Sequence, residues 1–131
     1  MRGRGQGMGS QRGRRWHGQA GGSPLSTRLM EPALLVLLLE QDQHGYSLLD
    51  GLAGMGIEAA HPSVVYRVLR EMEEAGWVSS REEREETQGP PRRVYTLTEA
   101  GRAALRQWKQ HLEHAQGLMG QMIDQIKDKP A

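Results

Sequence analysis

No cysteine occurs among the 131 residues. That absence excludes disulfides, thiolate metal sites and a cysteine nucleophile, and it fits a reducing cytoplasm. Long apolar runs are missing too. The longest, Ala33 to Leu39, has seven residues, against the roughly 20 that a membrane-spanning helix needs. An arginine-rich start ahead of an apolar run can mimic a signal peptide, but this run ends in Glu40-Gln41-Asp42 and has no small-residue cleavage site. The expectation is a soluble cytoplasmic protein with no membrane partner. Acid is absent from residues 1–30, which carry six arginines, whereas the rest of the chain holds 11 basic and 16 acidic side chains. Attraction to a polyanion must therefore come from the N-terminal segment and from local patches, because the net charge of +1 predicts no partner by itself. Hydrophobic residues make up only 37% of the chain, so a single copy buries a modest core.

What is present divides into three parts. Residues 1–24 hold eight of the 17 glycines and five arginines (Arg2, Arg4, Arg12, Arg14 and Arg15) and show no helical or strand periodicity. Such a segment buries too little apolar surface to offset its ordering entropy, so it is expected to be a disordered arm. Arg2-Gly3-Arg4 and Arg12-Gly13-Arg14 resemble both AT-hook minor-groove binders, without their proline, and RGG-type RNA-binding segments. A solubilising tail is the plainer alternative. Residues 25–97 form the second part and residues 98–131 the third.

Within the second part a helix is expected over Thr27–Glu40, with Pro32 in its opening turn. It is apolar around its whole surface, which calls for cover on all sides and points to a second subunit through Leu35 and Leu38. Asp42–His44 reads as a turn, and Gly45–Leu52 as a short helix broken by Gly54-Met55-Gly56. Ile57–Ala60 reads as a brief strand. Pro62 then opens a helix that Gly76 closes. Wound at 3.6 residues per turn, Val65, Val68, Leu69 and Met72 fall on one side, with Ser63, Arg67 and Arg70 opposite and Tyr66 at the flank. Alone, this helix is most simply an amphipathic helix with a solvated face. Its neighbours change that reading. A short helix, a glycine-bearing connection and a second helix with a polar face make a helix-turn-helix. The strands expected at Trp77–Arg81 and Arg92–Leu97, joined through the turn residues Thr87–Pro91, make a wing. Glu82, Glu83, Glu85 and Glu86 would repel DNA, so that arm is expected to point away, leaving Arg92 and Arg93 as the wing's phosphate or minor-groove contacts.

Thr98-Glu99 caps the last helix. Gly101, Leu105, Trp108, Leu112, Ala115, Met119, Met122 and Ile126 alternate in steps of four and three, a heptad seam held over more than three repeats. A helix from Glu99 to Ile126 is roughly 42 Å long at 1.5 Å per residue. That is too long for one small domain to cover, so Leu105 through Ile126 on the seam are expected to pair with a second copy. The fold class is thus mainly α: a winged helix-turn-helix with a two-stranded wing and a long C-terminal dimerisation helix.

These residues resemble the PadR family of transcriptional regulators over about residues 29–126. The matching pieces are His44-Gly45-Tyr46 with Leu48, Pro62-Ser63 with Tyr66, Leu69 and Glu71, and Ala75-Gly76-Trp77-Val78. Gly89-Pro90-Pro91-Arg92-Arg93-Val94-Tyr95 and Leu97-Thr98-Glu99-Ala100-Gly101 complete the set. The resemblance implies a homodimeric repressor, of the branch with a single C-terminal helix, that binds a palindromic operator in double-stranded DNA and releases it to a small-molecule effector. It also implies that Ser63, Tyr66, Arg67, Arg70, Arg92 and Arg93 meet DNA. Tyr66 has an alternative reading as a packing residue at the core edge.

No enzyme constellation stands out. Ser47, Asp50 and His61 make a triad only on paper, without a nucleophile elbow. His111-x-x-His114 lacks a third ligand and reads as a solvated pair, so neither metal nor cofactor is expected. His17 and His44 read as isolated. Trp108, Met119 and Met122 read either as plain seam or as the wall of a pocket for a small apolar or aromatic effector. The rival reading of the whole chain is an RNA- or partner-binding adaptor that uses the Arg/Gly-rich arm on a dimeric winged-helix scaffold.

Overall fold

A computed structural model describes residues 24–57, 61–83 and 92–128. Arg2, Arg4, Arg12, Arg14, Arg15 and His17, the expected turn at Thr87–Pro91, and Glu85 and Glu86 lie outside the described residues. Seven elements follow in order: α1 (Pro24–Glu40), β1 (Gln43–His44), α2 (Gly45–Gly54), α3 (Pro62–Glu74), β2 (Val78–Glu83), β3 (Arg92–Leu97) and α4 (Glu99–Asp128). The sheet is antiparallel with order β1-β3-β2, so β3 is its central strand.

The core gathers the apolar stripes of three helices under this sheet. Leu34 and Leu35 of α1, Leu48 and Leu52 of α2, and Val65, Leu69 and Met72 of α3 are buried together with Val78 of β2. Each fully buried leucine contributes roughly 1.5–3 kcal/mol by leaving water. The α1 helix packs against α2, β3 and α4. This corrects the subunit role expected for Leu35 and Leu38. They are 0% and 3% exposed within one chain, so neither has surface left to bury against a partner. Gly51 lets α1 and α2 approach closely: a Cβ there would stand 2.9 Å from Leu37 Cδ1.

Pro32 is likewise not in the opening turn. The helix starts at Pro24, three residues before the expected Thr27, which leaves Pro32 inside it. There its ring removes the amide that would have bonded the Arg28 carbonyl.

Two helices end in the same way. After α2, Gly56 adopts φ +85°, its amide donates to the Ala53 carbonyl, and the Ile57 amide donates to Leu52. After α3, Gly76 adopts φ +85°, its amide donates to Glu73, and the Trp77 amide donates to Met72. Both are Schellman motifs, in which a left-handed residue satisfies the last carbonyls and the next side chain folds back on the helix. Ile57 is therefore not strand: it is the buried residue that closes the first motif, while residues 58–60 lie outside the described set. The expected turn at Asp42–His44 is also corrected. Gln43 and His44 form β1, paired with Tyr95 and Val94.

The last helix starts hard against the wing. The Thr98 hydroxyl accepts from the Gly101 amide at 3.0 Å and donates to the Gly76 carbonyl at 2.6 Å, while the Thr98 amide donates to the Trp77 carbonyl. Gly101 is buried, and a Cβ on it would collide with that same carbonyl and stand 2.6 Å from Leu97 Cδ1.

Candidate nucleic-acid interface

The outward face of α3 is set at its first turn. His61, in an extended conformation, is the N-cap, and the Ser63 amide donates to its Nδ1 at 3.1 Å. The Ser63 hydroxyl lies 2.9 Å from the same nitrogen. With Val65, Leu69 and Met72 buried, Ser63, Tyr66, Arg67 and Arg70 are exposed on the other side. Arg67 pairs with Glu71 at 3.5 Å, both side chains more than half exposed. Such a pair contributes about 0.3–0.5 kcal/mol, so Arg67 can exchange it for another anion at small cost. Tyr66 is 38% exposed yet also packs: a Cβ on Gly45 would stand 2.6 Å from its Cε1, so the glycine makes room for the ring.

The wing is tied to α3 by a chain of polar contacts. Arg93 donates to the Ser80 hydroxyl at 3.0 Å and to Glu82 at 3.4 Å, and Ser80 donates to Glu73 of α3 at 2.8 Å. Glu82 and Glu83, expected to repel DNA, are compensated within the sheet. Glu83 accepts from His44 Nε2 at 3.1 Å and lies 3.8 Å from Arg81, which also reaches Asp42 at 3.6 Å. His44 is thus not isolated, because the β1–β3–β2 register carries it to a residue 39 positions away. Arg92 and Arg93, as successive strand residues, leave opposite faces of β3. Both nevertheless line one cleft. β3 begins two residues beyond the point where β1 stops, because the chain leaves the sheet at Gly45 to start α2. The resulting gap, about 360 Å³, is lined by Tyr46, Ser47, Tyr66, Arg92 and Arg93, with His44 and Tyr95. Burial raises the Tyr95 phenol above its usual 10.0; Arg93 and Arg70 oppose the shift, while Glu73 and Tyr66 add to it.

A second cavity of about 760 Å³ lies between α1 and α4. Val36, Leu39, Leu105, Trp108, Leu112 and Met119 supply its apolar lining, and Trp108 Nε1 donates to Glu31 at 3.2 Å. Of the three expected effector residues, Trp108 and Met119 line it and Met122 does not. Along the seam, exposure rises from 36% at Leu112 to 40% at Met119, 58% at Met122 and 72% at Ile126. Leu105, Trp108 and Ala115 are half-buried. His111 and His114 are exposed, with the Trp108 ring edge-on to His111. Among the described residues no cluster of three or more His, Asp or Glu could hold a metal, and no helix is long and apolar enough to cross a membrane.

Tyr46, Ser47, Tyr95 and the Glu73–Ser80–Arg93 chain were not anticipated as part of this surface. Gly45-Tyr46 was visible as a family motif, but its place beside Arg92 and Arg93 depends on β1, and two residues carry no periodic signal.

The sequence profile of the transcriptional regulator PadR-like family matches residues 34–107. No curated protein matches the chain. Among solved structures, a conserved protein of unknown function described as a potential transcriptional factor is 33% identical. It superposes with a TM-score of 0.65 over 82% of this chain and 95% of its own. A PadR family transcription regulator from Clostridium difficile shares the fold at 23% identity and TM-score 0.64, over 72% and 98%. Bacillus subtilis PadR in complex with operator DNA is 26% identical, with TM-score 0.55 over 63% of this chain and 47% of that one. With a wing, a capped α3 and a profile match that runs from the second half of α1 to the first turns of α4, this chain belongs to the PadR-like family of transcriptional regulators.

Proposed function

We propose that this chain is a transcriptional repressor that binds an inverted-repeat operator as a homodimer, one α3 per half-site. The observation that carries the reading is the exposed Ser63, Tyr66, Arg67 and Arg70 face of α3, set against a fully buried stripe in a fold that Bacillus subtilis PadR shares. A helix of this width enters the major groove, where an arginine reads guanine O6 and N7 with two donors, for about 1–3 kcal/mol of discrimination. The apolar half of α4, from Leu112 to Ile126, supports pairing with a second copy, which sets the half-sites about one helical turn, roughly 34 Å, apart. The cavity between α1 and α4 suits a small apolar or aromatic effector whose binding alters the angle between the two subunits. Arg92 and Arg93 contact phosphates, and residues 1–24 add salt-dependent affinity that is blind to sequence.

The test starts from a random-sequence duplex library, from which the protein selects its site. Arg67→Ala with Arg70→Ala is then compared with wild type in a shift assay at fixed salt. The double variant is expected to lose at least tenfold in affinity for the selected duplex while remaining a dimer on a sizing column. Removing residues 1–23 is expected to flatten the dependence of affinity on salt. No enrichment of any duplex, or full affinity in the double variant, overturns the proposal.

A further inference from the structure

The first half of α4 carries a charge pattern that helix stability does not account for. Arg102 and Arg106 lie one turn apart on the same face, and like charges at that spacing oppose each other. Arg102 also stands at the N-terminal end of the helix, where the backbone dipole disfavours cations. Among the described residues neither arginine has a carboxylate partner, whereas Lys109 is paired with Glu113 at 3.7 Å. All four side chains line the cavity between α1 and α4, so its one carboxylate is already engaged. The shape of this cavity is as uneven as its charge. Its wall runs along α4 from Arg102 to Met119, about 25 Å of helix at 1.5 Å per residue. Its volume of about 760 Å³ spread over that length gives a mean cross-section of about 30 Å². A peptide helix, roughly 10 Å across, needs more than twice that section. The cations gather toward the end near the wing, and Leu112, Gln116 and Met119 continue the wall to the far end.

We propose that this channel binds a linear anionic amphiphile, a long-chain carboxylate. Its head group sits between Arg102 and Arg106, and its alkyl chain lies along α4 past Leu105 and Leu112 to Met119. The proposal rests on the reading of this cavity as an effector site and gives that effector a chemical class. A carboxylate relieves the repulsion between the two guanidiniums and accepts charge-assisted hydrogen bonds from their planar donors. The chain leaves water in proportion to its length, which raises affinity about fourfold for each methylene buried. A compact ring fills only part of a channel this long, and a neutral or cationic molecule leaves the arginine pair without a counter-charge.

The experiment titrates the full chain by calorimetry with octanoate, decanoate, dodecanoate and tetradecanoate, each below its micelle-forming concentration. One molecule is expected to bind per chain, with affinity rising on the order of tenfold for each added pair of methylenes. Decanol, which has the chain without the charge, is expected to bind at least about tenfold more weakly than decanoate. Arg102→Gln with Arg106→Gln is expected to remove about tenfold of the dodecanoate affinity while leaving decanol binding and the circular dichroism spectrum unchanged. Decanol that binds as well as decanoate, an affinity indifferent to chain length, or an arginine pair without effect overturns the proposal. Many carboxylates bound per chain, with loss of the helical spectrum, is detergent action and overturns it too. So does a dodecanoate affinity that falls as protein concentration is raised, which assigns the channel to a second copy of the chain. The neutral aromatic 2-naphthol runs in the same series. If naphthol binds and no carboxylate does, the linear class fails and the effector cavity stands; if neither binds, the effector reading of the cavity fails as well.

Discussion

Replacing Gly101 with alanine sets two well-known effects of opposite sign against each other. In a helix interior alanine is favoured over glycine by about 1 kcal/mol. At position 101, however, the new methyl would meet the Trp77 carbonyl, a backbone atom that cannot rotate away, and Leu97 Cδ1 at 2.6 Å. The start of α4 must then retreat from the wing. That strains the Thr98 amide bond to Trp77, the Thr98 hydroxyl bond to Gly76 and the cap on the Gly101 amide. Overpacking of this kind costs about 1–3 kcal/mol, and a weakened cap adds about 0.5–2 kcal/mol. The net expectation is a loss of about 1–3 kcal/mol, with each kcal/mol lowering Tm by roughly 4–8 °C in a domain of this size. Gly117 and Gly120 supply internal controls on the same helix, because a Cβ at either meets nothing within 4 Å. Gly117→Ala and Gly120→Ala are expected to gain up to about 1 kcal/mol each. Urea unfolding followed by circular dichroism, at one protein concentration, separates the three variants by midpoint. A Gly101→Ala protein as stable as wild type refutes the reasoning, because it would mean that α4 is free to move off the wing.

Two further outcomes follow from the same geometry. Met119→Asp with Met122→Asp puts charge on the exposed stretch of the seam, at positions 40% and 58% exposed in one chain; the variant is expected to remain folded by circular dichroism but to elute as a monomer, and an unchanged dimer removes the seam from the interface. The Tyr95 phenol is raised above 10.0, chiefly by burial. Its contribution to stability is therefore full below pH 10, where it is neutral in both states, and declines above that as the unfolded chain ionises first. Absorbance titration is expected to show a late phenolate step that Tyr95→Phe abolishes, and a titration identical in both proteins would contradict the burial.

Much of the architecture was legible because its periods are long or its punctuation chemical. Thirteen residues of α3 alternate at the helical period between proline and a left-handed glycine, and the heptad steps of α4 run nearly its whole length. The winged helix-turn-helix and its membership of a family of regulators rather than enzymes both rest on these signals. What stayed hidden depends on partners distant in sequence. β1 is two residues long and exists because Tyr95 and Val94 offer it a ladder. Leu35 and Leu38 looked orphaned because the cover they receive from α2, β3 and α4 comes from segments that sequence inspection treats separately. His44 and Glu83 meet only through the register of the sheet. The donor-lined cleft was invisible for the same reason, since it consists of a strand's early end rather than of any motif.

The central position of β3 has a mechanical consequence. A strand bonded on both sides cannot slide alone, and this one joins the residues before α2 to those after α3 and runs through a single residue, Thr98, into α4. The α3 helix, proposed above to read DNA, and the root of the long helix are therefore one stiff body. In the proposed dimer the chain works as one jaw of a caliper: α4, 30 residues and about 45 Å long, is the arm, and the gap between the two reading helices is set by how the arms are held together. A change of 5° in that hold would displace the far end of an arm by about 4 Å, larger than the roughly 3.4 Å between successive nucleotides of one DNA strand. Control of DNA binding through the remote half of α4 would then require no rearrangement within the jaw itself.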